Sequence, residues 1–144
     1  MRGAILFLVL LTCLTAVAEE KTPQQRVEQR RAEIEKKKEQ DRAEEYAKLA
    51  LDLTAVATEQ YNADRTAEAD RTAGEIAQAA ADSVQSAGLK RKHVKQAEIR
   101  LRECSRLLDE LNHRLPSTDR DAVTKALEAV ENARSQLLEV MFGK

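Results

Sequence analysis

Aromatic residues are the scarcest class in this chain of 144 residues, which has no tryptophan, two tyrosines and two phenylalanines. Glycine occurs four times and proline twice, so little in the sequence interrupts a helix. Charged residues make up 34% of the chain. This composition predicts an all-α protein, and it argues against a core large enough to bury an active site.

The first eighteen residues have the pattern of a secretory signal peptide. Arg2 precedes an uncharged, mostly aliphatic stretch, which ends in the small residues Ala16-Val17-Ala18 before charge begins at Glu19. We therefore expect cleavage after Ala18 and a periplasmic or secreted mature protein. A membrane-spanning helix is not expected here, because crossing a bilayer takes about 20 apolar residues.

The two cysteines, Cys13 and Cys104, bear on the same question. Cys13 has Leu10 three positions before it, as in a bacterial lipoprotein, but Thr12 stands where that pattern has Gly, Ala or Ser. We expect membrane attachment only if Cys13 is lipidated. If residues 1–18 are removed, Cys104 has no partner for an intrachain disulfide, and we expect it to be buried as a small apolar residue.

Residues 19–45 are predicted to form a charged, solvated helical arm. The segment Thr22-Pro23-Gln24-Gln25 has the residues of a capping box, with proline at the first helical position. Between residues 26 and 45, 14 of 20 residues are charged, and only Val27 and Ile34 are large and apolar. Two apolar residues seven positions apart are too sparse to predict a packed face.

Residues 46–88 continue this long N-terminal helix as an alanine-rich amphipathic segment. Its apolar face starts at Tyr46, and a short motif, Ala-Asp-Arg-Thr-Ala, occurs at residues 63–67 and again at residues 69–73. The sequence leaves open whether the helix continues straight through Gly74 or kinks there. Gly88 is expected to end it as a left-handed cap.

Residues 89–144 are predicted to form an antiparallel helical hairpin, so that the whole chain makes a three-helix or coiled-coil-like bundle. The first helix of the hairpin has an apolar heptad seam. Pro116 is expected to end this helix, Thr118 to cap the next, and a second apolar stripe to face the seam. The seam residues are Val94, Ala97, Leu101, Cys104, Leu108, Leu111 and Leu115. The returning stripe comprises Val123, Leu127, Val130, Leu137 and Met141.

One motif has the residue types of a metal site. Glu110 and His113 form an E-x-x-H pair, which is half of a di-iron carboxylate site in helical bundles. The other histidine, His93, has Lys90 where the second half requires glutamate. No phosphate-binding loop and no nucleophile with an evident base is present. We therefore predict no enzyme activity, no cofactor and no metal.

A basic flank is the remaining candidate site, formed by Arg91, Lys95, Arg102 and Arg106 along one side of the seam. Such a flank suits an anionic envelope polymer or lipid headgroups, or else acidic residues elsewhere in the same chain. Nucleic acid is not expected, because the protein is predicted to be exported and no aromatic residues interleave with the basic ones.

Two functions are consistent with these observations. The first is a non-catalytic exported protein that acts through helix–helix association, as a scaffold, spacer or adaptor in the cell envelope, with a protein partner or by self-association. The alternative is a periplasmic binding module or chaperone-like protein that uses the basic flank near residues 90–106.

Overall fold

The computed structural model describes residues 19–143, so the expected signal peptide and Cys13 lie outside the described residues. Within that range the chain forms five α-helices and no strand, which confirms the predicted all-α class. The helices are α1 (Pro23–Lys36), α2 (Ala43–Asn62), α3 (Thr66–Leu89), α4 (Val94–Arg114) and α5 (Asp121–Phe142). The connections between α1 and α2 and between α4 and α5 each contain one turn of 3₁₀ helix.

Four of these helices form the bundle. Helix α2 packs against α3 and α4, and α5 packs against the same two helices from the opposite side. The ring order is therefore α2, α3, α5, α4, and α1 lies outside it against α2. The bundle has one more helix than the expected three, because the predicted long N-terminal helix is divided.

Side-chain contacts give the helix directions. Ser83 of α3 donates a hydrogen bond to the carbonyl oxygen of Ala43 at 2.7 Å, while Thr72 donates to Gln60 at 2.6 Å, so α2 and α3 run in opposite directions. Arg134 of α5 contacts Glu98 of α4, and Thr124 of α5 contacts Asn112 of α4, so α4 and α5 also run in opposite directions.

The long helix expected between residues 23 and 88 is interrupted twice. The first interruption follows α1, which ends at Lys36. The second follows α2, where Asp64 adopts a left-handed φ of 58° and the Arg65 amide donates to the Gln60 carbonyl at 2.9 Å. This turn lets the alanine-rich faces of α2 and α3 bury one another, which a single continuous helix could not achieve.

Neither glycine expected to affect the long helix interrupts it. Helix α3 continues through Gly74 and also through Gly88. No glycine between residues 19 and 143 has a positive φ, so the predicted left-handed cap at Gly88 is wrong. His93, directly before α4, has the left-handed conformation instead, with a φ of 64°. Carboxamide, carboxylate and imidazole residues reach this region more readily than most, which explains the use of Asp64 and His93 there.

The cap predicted for α1 is present in the structure, and the cap predicted for α5 is not. In α1, the backbone N–H of Gln25 donates to the Thr22 hydroxyl at 3.2 Å, and the backbone N–H of Thr22 donates to the side-chain oxygen of Gln25 at 2.9 Å. These two bonds confirm the capping box. Thr118 does not cap α5, because it lies within a 3₁₀ turn and Arg120 is the residue before the helix.

Helix α1 is not a solvated arm. Val27 and Ile34 are only 3% and 5% exposed, and both belong to the apolar core. Residues seven positions apart lie on the same side of a helix, so two apolar side chains can attach α1 to the bundle where ion pairs support them. The structure therefore differs from the solvated arm predicted for residues 19–45, because that prediction counted the apolar residues of this segment without their partners elsewhere in the bundle.

The α4 seam lies in the middle of the bundle. Six of its seven predicted residues are buried, and Leu115 is partly buried against the core. On α5, Val123, Val130 and Leu137 are buried, while Leu127 and Met141 are partly buried. The returning stripe therefore packs inward along the length of α5.

Candidate functional site

Three of the four residues of the predicted basic flank line one open groove. Arg91, Lys95 and Arg102 form its rim on the α4 side, and the groove has a volume of about 690 Å³. Arg106, one turn beyond Arg102, is not part of this lining. Its guanidinium instead contacts Glu103 at 2.6 Å and also Glu110. The structure therefore divides the flank into a groove rim and a separate surface ion-pair cluster.

The floor of the groove is apolar. Ile99 is 39% exposed, Leu138 is 37% exposed and Phe142 is 78% exposed, and all three line the groove. Leu89 is the fourth large apolar side chain exposed within the described part of the chain, so this class of residue is concentrated at one place. The remaining apolar lining residues are Val94, Val140 and Met141.

A buried carboxylate holds the groove's two walls together. Glu98 of α4 is 2% exposed, and its oxygens contact Arg102 of α4 at 2.6 Å and Arg134 of α5 at 3.1 Å. Arg134 also contacts Glu131, which accepts a hydrogen bond from Ser105. This network closes the α4–α5 interface directly beyond the groove, so the open part is confined to the start of α4 and the end of α5.

The positive charge of the rim is not cancelled by Glu98, because Glu98 is already paired. Glu98 is the only acid in the lining, and two arginines contact it. Arg91 and Lys95 form no ion pair with any residue in the range 19–143. Their charges therefore face solvent and remain available to an anionic group.

Helix α1 packs on α2, beside α3, on the other side of the bundle, and a cavity of about 430 Å³ remains between the three helices. Its Val27 and Ile34 are buried in the core, and its arginines pair with acids on both α2 and α3. Arg30 contacts Glu45 at 2.9 Å and Asp52 at 3.3 Å, and Arg31 contacts Glu75 at 2.7 Å. Helix α1 is thus held by two buried apolar anchors and by ion pairs from its arginines to acids of the bundle.

Glu45 is the buried centre of this α1 contact. Burial raises the pKa of its carboxyl group, but hydrogen bonds from Lys37 and Arg30 and the charge of Lys48 lower it more strongly, to about 2. The carboxylate is therefore charged throughout the physiological pH range, as a docking point for a basic helix requires.

The other candidate groups are accounted for by local contacts. Cys104 is fully buried, its sulfur lies 3.2 Å from the Thr54 hydroxyl, and burial raises the pKa of its thiol to about 12. His113 is exposed and its Nδ1 lies 2.8 Å from the Asp109 carbonyl oxygen, whereas Glu110 pairs with Arg106. Between residues 19 and 143, no group of three or more metal-ligating side chains is suitably placed to hold an ion.

Sequence reasoning found the basic rim but missed the apolar floor. Leu138 and Phe142 are four residues apart and lie outside the stripe that was assigned to the core. An off-stripe apolar pair at helical spacing was the available signal, because such a pair places apolar side chains together on a second face. The closeness of this pair to Lys95 depends on how α4 and α5 pack, which the sequence pattern does not specify.

No protein-family model, curated protein or solved structure matches this chain. Over residues 19–143, every helix is too short or too polar to cross a lipid bilayer.

Proposed function

We propose that this is a non-catalytic interaction protein of the cell envelope or the secreted fraction, and that it acts as a scaffold or adaptor by binding a partner helix. The working surface is the outer groove between α4 and α5, called the α4–α5 groove below. It is bounded by Arg91, Lys95 and Arg102 on one side and by Leu138 and Phe142 on the other.

The observation that carries this proposal is the coincidence of exposed apolar side chains with unpaired positive charge. A protein surface that exposes a large apolar patch rimmed by polar groups commonly marks an interaction site. Ile99, Leu138 and Phe142 cost free energy when they face water, and a partner that covers them recovers it. Arg91 and Lys95 add orientation and a preference for negative charge.

Export is part of the proposal and is supported by the sequence alone. The apolar stretch after Arg2, the Ala16-Val17-Ala18 site and the onset of charge at Glu19 together fit a signal peptide. Intact-mass measurement of the purified exported protein tests this step. A chain that begins at Glu19 supports it, and a chain that retains residues 1–18 or carries a lipid on Cys13 contradicts soluble export.

Site-specific photo-crosslinking in the source organism tests the groove. A photoactivatable phenylalanine analogue replaces Leu138, and the same analogue at Lys125, an exposed position on α5 outside the groove, serves as the control. We expect a discrete protein adduct from position 138 that is absent from position 125. Equal adducts at both positions, or none at either, would contradict the proposal.

The same groove also favours a second function, that of a chaperone-like protein which binds unfolded chains. The supporting observation is the 78% exposure of Phe142, which an unfolded apolar segment could also contact. Crosslinking separates the two, because a scaffold gives one or a few defined adducts and a chaperone gives a broad distribution of clients.

A further inference from the structure

We infer that the occupant of the α4–α5 groove is an amphipathic helix with an acidic flank. This inference rests on the proposed function, since it names the chemistry of the partner that the same groove binds. Helix-in-groove recognition requires an apolar groove and anchors spaced along one face of the incoming helix.

The first argument comes from the way the bundle already binds α1. Helix α1 attaches through two buried apolar anchors, Val27 and Ile34, which lie about 10 Å apart at 1.5 Å per residue. The lining of the α4–α5 groove extends along α4 from Val94 to Arg102, about 12 Å by the same measure. The α4–α5 groove thus has the length that one docked helix requires.

The second argument is the distribution of charge. Arg91, in the connection before α4, and Lys95, in the first turn of α4, are the basic lining residues without an ion pair to any residue between 19 and 143, because Arg102 pairs with Glu98. Two carboxylates one turn apart on the flank of an incoming helix can pair with these two charges while its apolar face covers Ile99, Leu138 and Phe142. The α1 contact also combines apolar anchors with ion pairs, because Arg30 and Arg31 of the docked helix contact Glu45 and Glu75 of the bundle.

The third argument concerns a second copy of this chain as the occupant. Its α1 is the helix already suited to docking, but the arginines of α1 pair with Glu45, Asp52 and Glu75 of its own bundle. Exchange of α1 would break these pairs and leave the buried Glu45 charge without a partner, which is costly. The existing ion pairs therefore favour a separate acidic partner over exchange of α1 between copies.

Two matched peptides test the inference. Each peptide has 14 residues, the length of α1, and both have leucines at the same anchor positions. One peptide carries glutamates on the flank of its apolar face, and the other carries lysines there. The protein is expressed from its complete sequence, and binding is measured by fluorescence anisotropy. We expect the acidic peptide to bind at least about tenfold more tightly than the basic one, with a preference that decreases as salt is added.

A charge-reversal pair makes the test specific to the groove. The variant Arg91→Glu/Lys95→Glu should lose the preference for the acidic peptide and bind the basic one more tightly. The control Arg65→Glu/Lys125→Glu changes the net charge equally at exposed positions outside the groove, and it should keep the wild-type preference. Near-ultraviolet and far-ultraviolet circular dichroism verify that both variants are folded.

The outcomes separate this inference from the proposed function. Equal binding of both peptides, or equal losses in both variants, would overturn the acidic-helix assignment. Binding of laurate at Leu138 and Phe142 without binding of either peptide would overturn it in favour of an acyl ligand. If the peptides fail while Leu138 still crosslinks to a defined protein, the acidic-helix inference fails and the proposed interaction function stands.

Discussion

Cys104 and Leu108 lie four residues apart on α4, and both are fully buried. The thiol contacts Thr54 of α2, so it occupies the same interface as its aliphatic neighbours. Burial excludes solvent from the sulfur and raises the pKa of the thiol, and each effect lowers the concentration of the reactive thiolate. Packing, and not reactivity, is therefore the role of this cysteine.

Cys104 should be unreactive in the folded protein. We expect a maleimide reagent at neutral pH to modify it at least about a hundredfold more slowly in buffer than in concentrated urea, because the thiolate forms only after the bundle opens. Mass spectrometry of the time course measures the rate. Rapid modification under native conditions, with the circular dichroism unchanged, would contradict the buried position.

Leu108 and Leu138 provide a matched comparison of core and groove. Replacing Leu108 with alanine removes a fully buried side chain, and we expect it to lower the free energy of unfolding by about 2–5 kcal/mol. Replacing the partly exposed Leu138 with alanine should lower it by less than about 1 kcal/mol. Urea denaturation measures both, and an equal cost would show that Leu138 belongs to the core.

Helix α1 depends on ion pairs for its attachment more than the other helices do, because only two large apolar residues of α1 are buried. Arg30 pairs with Glu45 and Asp52 of α2, and Arg31 pairs with Glu75 of α3. Of these acids, Glu45 is buried, and breaking a buried pair leaves a charge without a partner, which is costly. The attachment of α1 is therefore expected to depend on pH.

Acid should release α1 before it unfolds the bundle. The pKa of Glu45 is lowered from 4.5 to about 2, so its contribution is complete above pH 4.5 and decreases as the pH falls toward 2. That contribution is on the order of 3 kcal/mol for a shift of this size. Hydrogen exchange near pH 3 should show faster exchange in residues 23–36 than in α4.

The variant Glu45→Gln is the control for the acid experiment. It removes the titrating carboxylate, so α1 should already exchange faster at neutral pH, and its exchange relative to α4 should depend less on pH. If α1 of this variant keeps the wild-type protection and pH dependence, the pairs at Glu45 do not hold the helix.

The sequence pattern predicted the elements that rely on local periodicity and missed those that rely on distant partners. The heptad of α4 was visible because its residues repeat every 3.5 positions, and the Thr22 cap because its two partners are adjacent. The docking of α1 was not visible, because Glu45 and Glu75 lie 15 and 44 residues from their arginines. The break at Asp64 lacks glycine and proline, so it carries no strong turn signal.

Two outer grooves of the described bundle differ in whether a helix of the same chain lies against them. Helix α1 packs beside the groove between α2 and α3, while the groove between α4 and α5 exposes Ile99, Leu138 and Phe142. The inner seam of the bundle accounts for stability, and the open groove retains apolar surface that a partner can cover. Stability and binding should therefore be separable by mutation.

Thermal melting with and without the acidic peptide tests this separation most directly. Wild type and the Arg91→Glu/Lys95→Glu variant should melt within a few degrees of each other, because exposed charges contribute about 1 kcal/mol or less to folding. The peptide should raise the melting temperature of the wild type and leave that of the variant unchanged, since only a ligand bound to the folded state stabilises it. An equal rise in both proteins would contradict the assignment of the α4–α5 groove as the binding surface.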